Sequence, residues 1–215
     1  MNRNSDKPFR IVLEGLPGAG KTSLCNDLSK ALNCPHVKEW SAWTEQEWRA
    51  YQWNEPFYLA NDSMKEMLAQ NCRSSWVVID RHYASTLAYA FALSVAFPDK
   101  ELLPRHLADE KYSDVLSWYE RKMEQGSLRK PDLVLLLDIS TEVSHKRKPP
   151  ENHKDPVWRE PQALEAMRRY YRDFYSEIET STQLKVVNSV IPQNEVLSIA
   201  LDLISNASSN GNRGL

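Results

Sequence analysis

Glycine is scarce in this chain, with six in 215 residues. Three cysteines, Cys25, Cys34 and Cys72, are an odd number and show neither metal-ligand nor redox spacing. That argues against a disulfide framework and for reduced thiols, the usual state in the cytoplasm, where the protein is expected to reside. No apolar run approaches the length of a membrane span, and Met1 to Lys7 is polar, without the apolar stretch of a secretory signal. There is no internal repeat. Net charge is only −2, so no global basic field draws the chain to nucleic acid or to an anionic membrane, and neither is expected as a partner. What is present is 41% hydrophobic and 26% charged residues, the composition of a soluble globular protein with enough material for a sizeable core.

Three of the six glycines fall in one stretch, Gly15-Leu16-Pro17-Gly18-Ala19-Gly20-Lys21-Thr22. It fits G-x-x-x-x-G-K-[ST] without a mismatch. A chance match should occur in roughly one chain in a hundred of this length. Context lowers those odds, because Ile11-Val12-Leu13 precedes it and Leu24, Leu28 and Leu32 follow at helical spacing. Strand, loop and helix are what a phosphate cradle needs: converging backbone N–H groups and the positive end of a helix dipole. The expected donor site is therefore Gly15, Pro17, Gly18, Ala19, Gly20, Lys21, Thr22 and Ser23, binding ATP with Mg²⁺. Lys21 is expected on the β- and γ-phosphates and the Thr22 hydroxyl on the metal.

Further strand-length apolar runs lie at 76–80, 133–138 and 185–188, with a weaker one at 36–39, besides the first at 10–14. Between them the pattern is helical. Strands of nearly continuous apolar character alternating with helices predict an α/β fold, a doubly wound parallel sheet of five strands between two helical layers. The most apolar run, Leu133 to Leu137, is expected at its centre. One domain is expected over 9–204, with a lid at about 145–160 and flexible ends at 1–8 and 205–215.

Ligands of such sheets sit beyond the carboxyl ends of the strands. Glu39, Asp80 with Arg81, and Asp138 occupy such ends. Asp80 can hold Mg²⁺ through water while Arg81 meets an anionic oxygen. Asp138 either borders the nucleotide or starts a turn. Four of the seven tryptophans, Trp40, Trp43, Trp48 and Trp53, follow Glu39, and one or two of them could stack on a flat acceptor. The segment His145 to Pro156 is cationic and broken by prolines, suited to a flap that closes over the transferring phosphate. In the helix after Pro161, Leu164, Met167, Tyr171 and Phe174 are expected inside, and Arg168, Arg169 and Arg172 more exposed.

Taken together, the chain resembles the thymidylate kinases and their relatives among the P-loop nucleotide and nucleoside kinases. Four pieces carry the resemblance in order across most of residues 10–175. They are Leu13-Glu14-Gly15 with Gly20-Lys21-Thr22; Asp80-Arg81-His82-Tyr83 with Ser85 and Ala88-Tyr89; Lys130-Pro131-Asp132-Leu133 with Leu137-Asp138; and Trp158-Arg159-Glu160. The resemblance implies catalytic roles for Lys21, Asp80, Arg81, Arg147 and Arg159, the last two as lid arginines. It implies metal contacts from Thr22 and Asp80, and an acceptor bordered by Glu39, Trp40, Phe57, Asn61, Arg81 and Tyr89. A homodimer is implied as well. Three departures concern the acceptor half: Pro17 stands where relatives carry an acidic residue, Ser63 where they carry a base-contacting arginine, and Glu39 is not followed by a Glu-Pro-Gly-Gly pattern.

The leading expectation is transfer of the γ-phosphoryl group to a nucleoside monophosphate such as dTMP. A phosphate acceptor is already anionic and needs cations; a hydroxyl acceptor must lose a proton and gains from a nearby carboxylate. The alternative is accordingly a deoxynucleoside kinase, or a kinase of another small hydroxyl metabolite, with Glu39 as base. A second alternative is an ATP-binding regulator without catalysis. The acceptor is then a small-molecule nucleotide, nucleoside or metabolite.

Overall fold

Residues Phe9–Gly15 form β1, the middle strand of the sheet. The computed structural model describes residues 7–39, 56–98, 111–153 and 155–211. In chain order β1 is followed by α1 (Lys21–Ala31), β2 (His36–Val37), α2 (Phe57–Gln70), β3 (Trp76–Asp80), α3 (Tyr83–Ala96) and α4 (Tyr112–Glu124). Then come β4 (Leu133–Asp138), α5 (Thr141–Arg147), two single-turn 3₁₀ segments, α6 (Pro161–Asp173), β5 (Gln183–Asn188) and α7 (Gln193–Gly211). The five strands are parallel in the order β2-β3-β1-β4-β5.

The strands are apolar throughout because helices cover both faces. Ile11, Val12 and Leu13 of β1 are fully buried, as are Val77, Val78 and Ile79 of β3 and Leu133, Val134 and Leu135 of β4. α1 packs against α7, while α3 packs against α4 and α6. An aromatic cluster joins the latter group: Phe91 lies 5.1 Å from Tyr170 and Tyr83 6.2 Å from Phe174, centroid to centroid. Register aligns the strand ends, with Leu13 opposite Asp80 and Gly15 opposite Leu137. The phosphate loop and Asp80 are thereby brought to one edge. Among the described residues no helix is long and apolar enough to cross a membrane.

Two expectations are corrected. β4 is an inner strand between β1 and β5, but the centre is β1. Apolar content reports burial on both faces, which the two strands share, and does not rank them. The final helix also runs to Gly211, into the stretch read as a flexible tail. Ala207 continues into that stretch the buried stripe of Val196, Ala200 and Ile204, a single apolar position that the polar residues around it mask. Trp40 and the other tryptophans of its stretch lie outside the described residues.

Candidate active site

The loop between β1 and α1 is shaped by glycine where no other residue fits. Gly15 has φ 140°, and a Cβ there would meet the Leu137 carbonyl oxygen at 2.4 Å. Gly20 caps α1 with φ 92° and no side-chain cap, so the first N–H groups of α1 are not taken by a capping side chain. Lys21 Nζ donates to the carbonyls of Gly15 and Leu16, both at 2.9 Å. Burial, then repulsion from Arg81, holds its pKa well below the ordinary lysine value, against the pull of Glu39, Asp80 and Glu14. A polyphosphate would supply the negative charge this ammonium lacks.

Thr22 Oγ1 donates to Asp80 Oδ2 at 2.6 Å. Asp80 Oδ1 is buried without a hydrogen-bond partner among the described residues. A hydroxyl oxygen beside an incompletely satisfied carboxylate is a donor set that fits Mg²⁺.

α5 braces the loop from the outside. Ser144 Oγ donates to the Pro17 carbonyl at 2.7 Å, and Arg147 donates to the carbonyls of Gly18 at 3.1 Å and Ser189 at 3.0 Å. Arg147 also borders a cleft of about 230 Å³ with Gly20, Ser23, Leu137, Ser189 and Ile191. A loop whose amides face a phosphate turns such carbonyls away from it. Arg147 therefore sits behind the loop, where the sequence expectation had it over the transferring group. Arg159 donates from Nε to the carbonyl of His153, six residues earlier, at 2.7 Å.

Arg81 follows β3 in the left-handed region, φ 62°, which costs a non-glycine residue on the order of 1–3 kcal/mol. Many partners hold it there. Its N–H donates to the Leu13 carbonyl at 3.0 Å. Its guanidinium donates to Gly15 O at 3.1 Å, Ser85 Oγ at 3.1 Å and Tyr171 OH at 3.2 Å. Nε lies 2.6 Å from Glu39 Oε1, an ion pair rather than an aligned hydrogen bond. Lys65 Nζ donates to the carbonyls of Asp80 and Arg81 at 2.8 and 2.7 Å, pinning the turn from below.

A cavity of about 530 Å³ opens beyond this turn, lined by Glu39, Phe57, Asn61, Arg81, Tyr89 and Trp158, among others. Five of the six sequence-predicted acceptor residues, all but Trp40, thus share one cavity. Trp158 comes from the second 3₁₀ turn, Pro156–Trp158, and lies 5.5 Å from the Tyr89 ring and 5.9 Å from the Arg81 guanidinium carbon. Asp155 accepts a 2.6 Å hydrogen bond from Tyr89 OH, fastening the segment before that turn to α3. Glu39 keeps 38% of its side chain accessible. Burial raises its pKa, but Arg81, Lys21 and Lys65 together outweigh that and hold it below the ordinary glutamate value.

Three further carboxylates near the site have partners that the sequence does not announce. Glu14 is buried under the turn and accepts from Ser85 Oγ and, at 2.9 Å, from the His82 N–H. Burial raises its pKa despite Arg81. Asp62 lines the same cavity and accepts from Thr86 Oγ1 at 2.6 Å. Asp138 turns out to be held by Arg168, at 2.7 and 2.9 Å, and by Arg172, at 2.7 Å. Those two arginines thus anchor α6 to the end of β4 while staying partly exposed, as the pattern of the helix predicts.

The family model described as "AAA domain" matches residues 11–126, from the middle of β1 to just past α4. The chain belongs to that AAA domain family. No curated protein matches it. Among solved structures, this AAA domain protein is similar to deoxyadenosine kinase from M. mycoides with products dCMP and a flexible dCDP bound. The TM-score is 0.64 at 16% identity, over 92% of this chain and 99% of that one. The same enzyme with dATP bound gives 0.66 at 16% identity, over 91% and 99%. Thymidylate kinase from Candida albicans gives 0.67 at 17% identity, over 95% and 94%. The fold is that of the thymidylate kinase-like P-loop kinases.

Proposed function

We propose that the protein is an ATP-dependent phosphotransferase whose acceptor is the hydroxyl group of a small molecule, a nucleoside being the flat acceptor that suits the aromatic cavity. The observation that carries this reading is the Glu39–Arg81 ion pair at 2.6 Å inside the acceptor cavity. A nucleoside monophosphate brings close to two negative charges near neutral pH and calls for unmatched cations. Among the described residues lining the cavity the cations are Arg81 and Lys65. Arg81 is matched by Glu39, and Lys65 is buried with its ammonium on two backbone carbonyls. Glu39, Asp62 and Asp155 add acidic character to the same lining. This balance favours the hydroxyl acceptor over the monophosphate, the reverse of the order favoured by the motifs.

In the proposed reaction the acceptor hydroxyl donates to Glu39, which Arg81 keeps ionised and oriented. As the oxygen attacks the γ-phosphorus, its proton passes to the Glu39 carboxylate, and the bond from phosphorus to the β–γ bridging oxygen breaks, releasing ADP. Lys21 exchanges its two carbonyl partners for the donor phosphates, and the loop amides meet the remaining charge. Thr22 and Asp80 would hold Mg²⁺, which neutralises charge on the β- and γ-oxygens when bound. The cleft beside Arg147 is the position for the donor base. Trp158 and the Asp155–Tyr89 contact exclude water from the acceptor side.

Coupled ADP-release assays over nucleosides, nucleoside monophosphates and other hydroxyl metabolites test this. Turnover with unphosphorylated acceptors is expected. Turnover confined to monophosphates would restore the first expectation, and tight ATP binding without turnover on any acceptor would favour the non-catalytic regulator.

A further inference from the structure

Beneath the phosphate loop, on the face of the sheet covered by α1, three side chains from three elements converge. Cys25 of α1, His36 of β2 and Asp80 of β3 each place a ligand-capable atom within 4.8 Å of the other two. They are 11 and 44 residues apart in the chain, so no motif announces them. Register explains the meeting: His36 pairs with Val78, two residues before Asp80, so both side chains point to the same face of the sheet. Cys25 lies one turn after Lys21 and is fully buried.

The hydrogen bonding of the group is incomplete in a particular way. His36 Nδ1 lies 3.2 Å from Asn26 Oδ1, and in the tautomer that donates there Nε2 keeps its lone pair. Nε2 is inaccessible and has no partner among the described residues. Asp80, only 1% exposed, has Oδ1 in the same condition. Two orphaned acceptors and a thiol close to them are an arrangement that a cation completes. Sulfur and imidazole donors select zinc-type ions over Mg²⁺, which prefers oxygen alone. Metal–ligand bonds of about 2.0–2.3 Å put tetrahedral ligands roughly 3.5 Å apart, so small side-chain rotations would close the site.

We propose that Cys25, His36 and Asp80 form a site for a thiophilic divalent cation such as Zn²⁺, separate from the oxygen-lined position at Thr22 and sharing Asp80 with it. On binding, the Cys25 thiol releases its proton to solvent and the thiolate becomes a ligand; His36 binds through Nε2, and water fills the fourth position. Because Asp80 cannot serve both ions fully, Zn²⁺ also inhibits phosphoryl transfer. That second part rests on the kinase reading; the site itself does not.

Co²⁺ titration of the full chain reads the site directly, with Zn²⁺ competition for affinity. One equivalent of Co²⁺ should produce thiolate-to-cobalt charge-transfer absorption that Zn²⁺ abolishes. Cys25→Ala should remove that band, and Cys25→Ala and His36→Gln should each weaken Zn²⁺ binding at least tenfold. His36→Gln alters a half-buried position and serves should Cys25→Ala not fold. Absence of stoichiometric binding, a bound form without the thiolate band, or an unchanged band in Cys25→Ala, which retains Cys34 and Cys72, overturns the site. Full ATP turnover by the Zn²⁺-loaded protein in excess Mg²⁺ overturns the inhibition while leaving the site standing.

Discussion

Glu39 Oε1 lies 2.6 Å from Arg81 Nε, joining a residue just past β2 to the strained turn that ends β3. The contact gives the proposed acceptor cavity a carboxylate held ionised and uses the charge of Arg81, the one arginine among its described lining residues.

Gly15→Ala should destabilise the fold. A Cβ at Gly15 would sit 2.4 Å from the Leu137 carbonyl oxygen, in a backbone conformation that side chains rarely adopt. A cost of about 2 kcal/mol corresponds to a fall in Tm of roughly 4–8 °C for a chain of this size. Gly20→Ala, which meets open space, should fall less in the same thermal melts. Equal losses would mean that the approach of β4 to the loop is not the limiting contact.

Arg147→Ala should weaken donor binding more than it slows transfer. The side chain bridges Gly18 and Ser189 behind the loop and borders the proposed base cleft. Loss of these bonds should raise the KM for ATP about tenfold with kcat changed only a few-fold. A fall in kcat on the order of 10³ would return Arg147 to the role of an arginine finger.

Tyr89→Phe should loosen the lid over the acceptor. Its hydroxyl donates to Asp155, so the variant leaves the ring and its contact with Trp158 in place and removes one charge-assisted bond. About 1.5 kcal/mol is at stake, or roughly a tenfold rise in acceptor KM, with the KM for ATP unmoved. Steady-state kinetics varying each substrate in turn separate the two.

Glu66→Gln should unfold more readily near neutral pH and less distinctly so in acid. Glu66 is buried between Arg10, at 2.8 Å, and His82, at 3.5 Å. Burial raises its pKa, but bonds from His82 and Arg10 outweigh that and bring it from 4.5 down to about 2. A carboxyl whose pKa is lower folded than unfolded contributes its full stability above the unfolded value and loses it as pH falls through the folded one. The variant should therefore be about 3 kcal/mol less stable at pH 7, with the gap narrowing from pH 4.5 toward 2. Urea unfolding across that range measures it; a gap independent of pH would exclude the ion pair as its source.

The strands and the phosphate loop were legible in the sequence because their signals are local. Gly15 to Thr22 is one continuous motif, and the five apolar runs fall where strands are observed. The acceptor cavity was half legible, since Glu39, Arg81 and Tyr89 stand at strand ends or within motif pieces. What stayed hidden depends on residues distant in the chain. Arg168 and Arg172 are partly exposed as expected, but nothing local shows that Asp138, 30 and 34 residues earlier, is their partner. Lys65 shows no signal at all, because its partners are backbone carbonyls at Asp80 and Arg81. Glu14 was visible only as part of a motif, not as the acceptor of Ser85 and His82 bonds. Arg147 bonds the carbonyls of Gly18 and Ser189, partners 129 and 42 residues away that spacing does not announce.

The most direct test of the hydroxyl-acceptor reading is single-turnover transfer by Glu39→Gln with the best acceptor, compared with the unaltered protein. The amide keeps the size of the side chain and cannot take the proton. Transfer should slow by roughly 10²–10⁴, the usual contribution of a general base, with ATP affinity unchanged. Undiminished transfer to a hydroxyl, or a gain in transfer to a monophosphate once the carboxylate no longer matches Arg81, would contradict it.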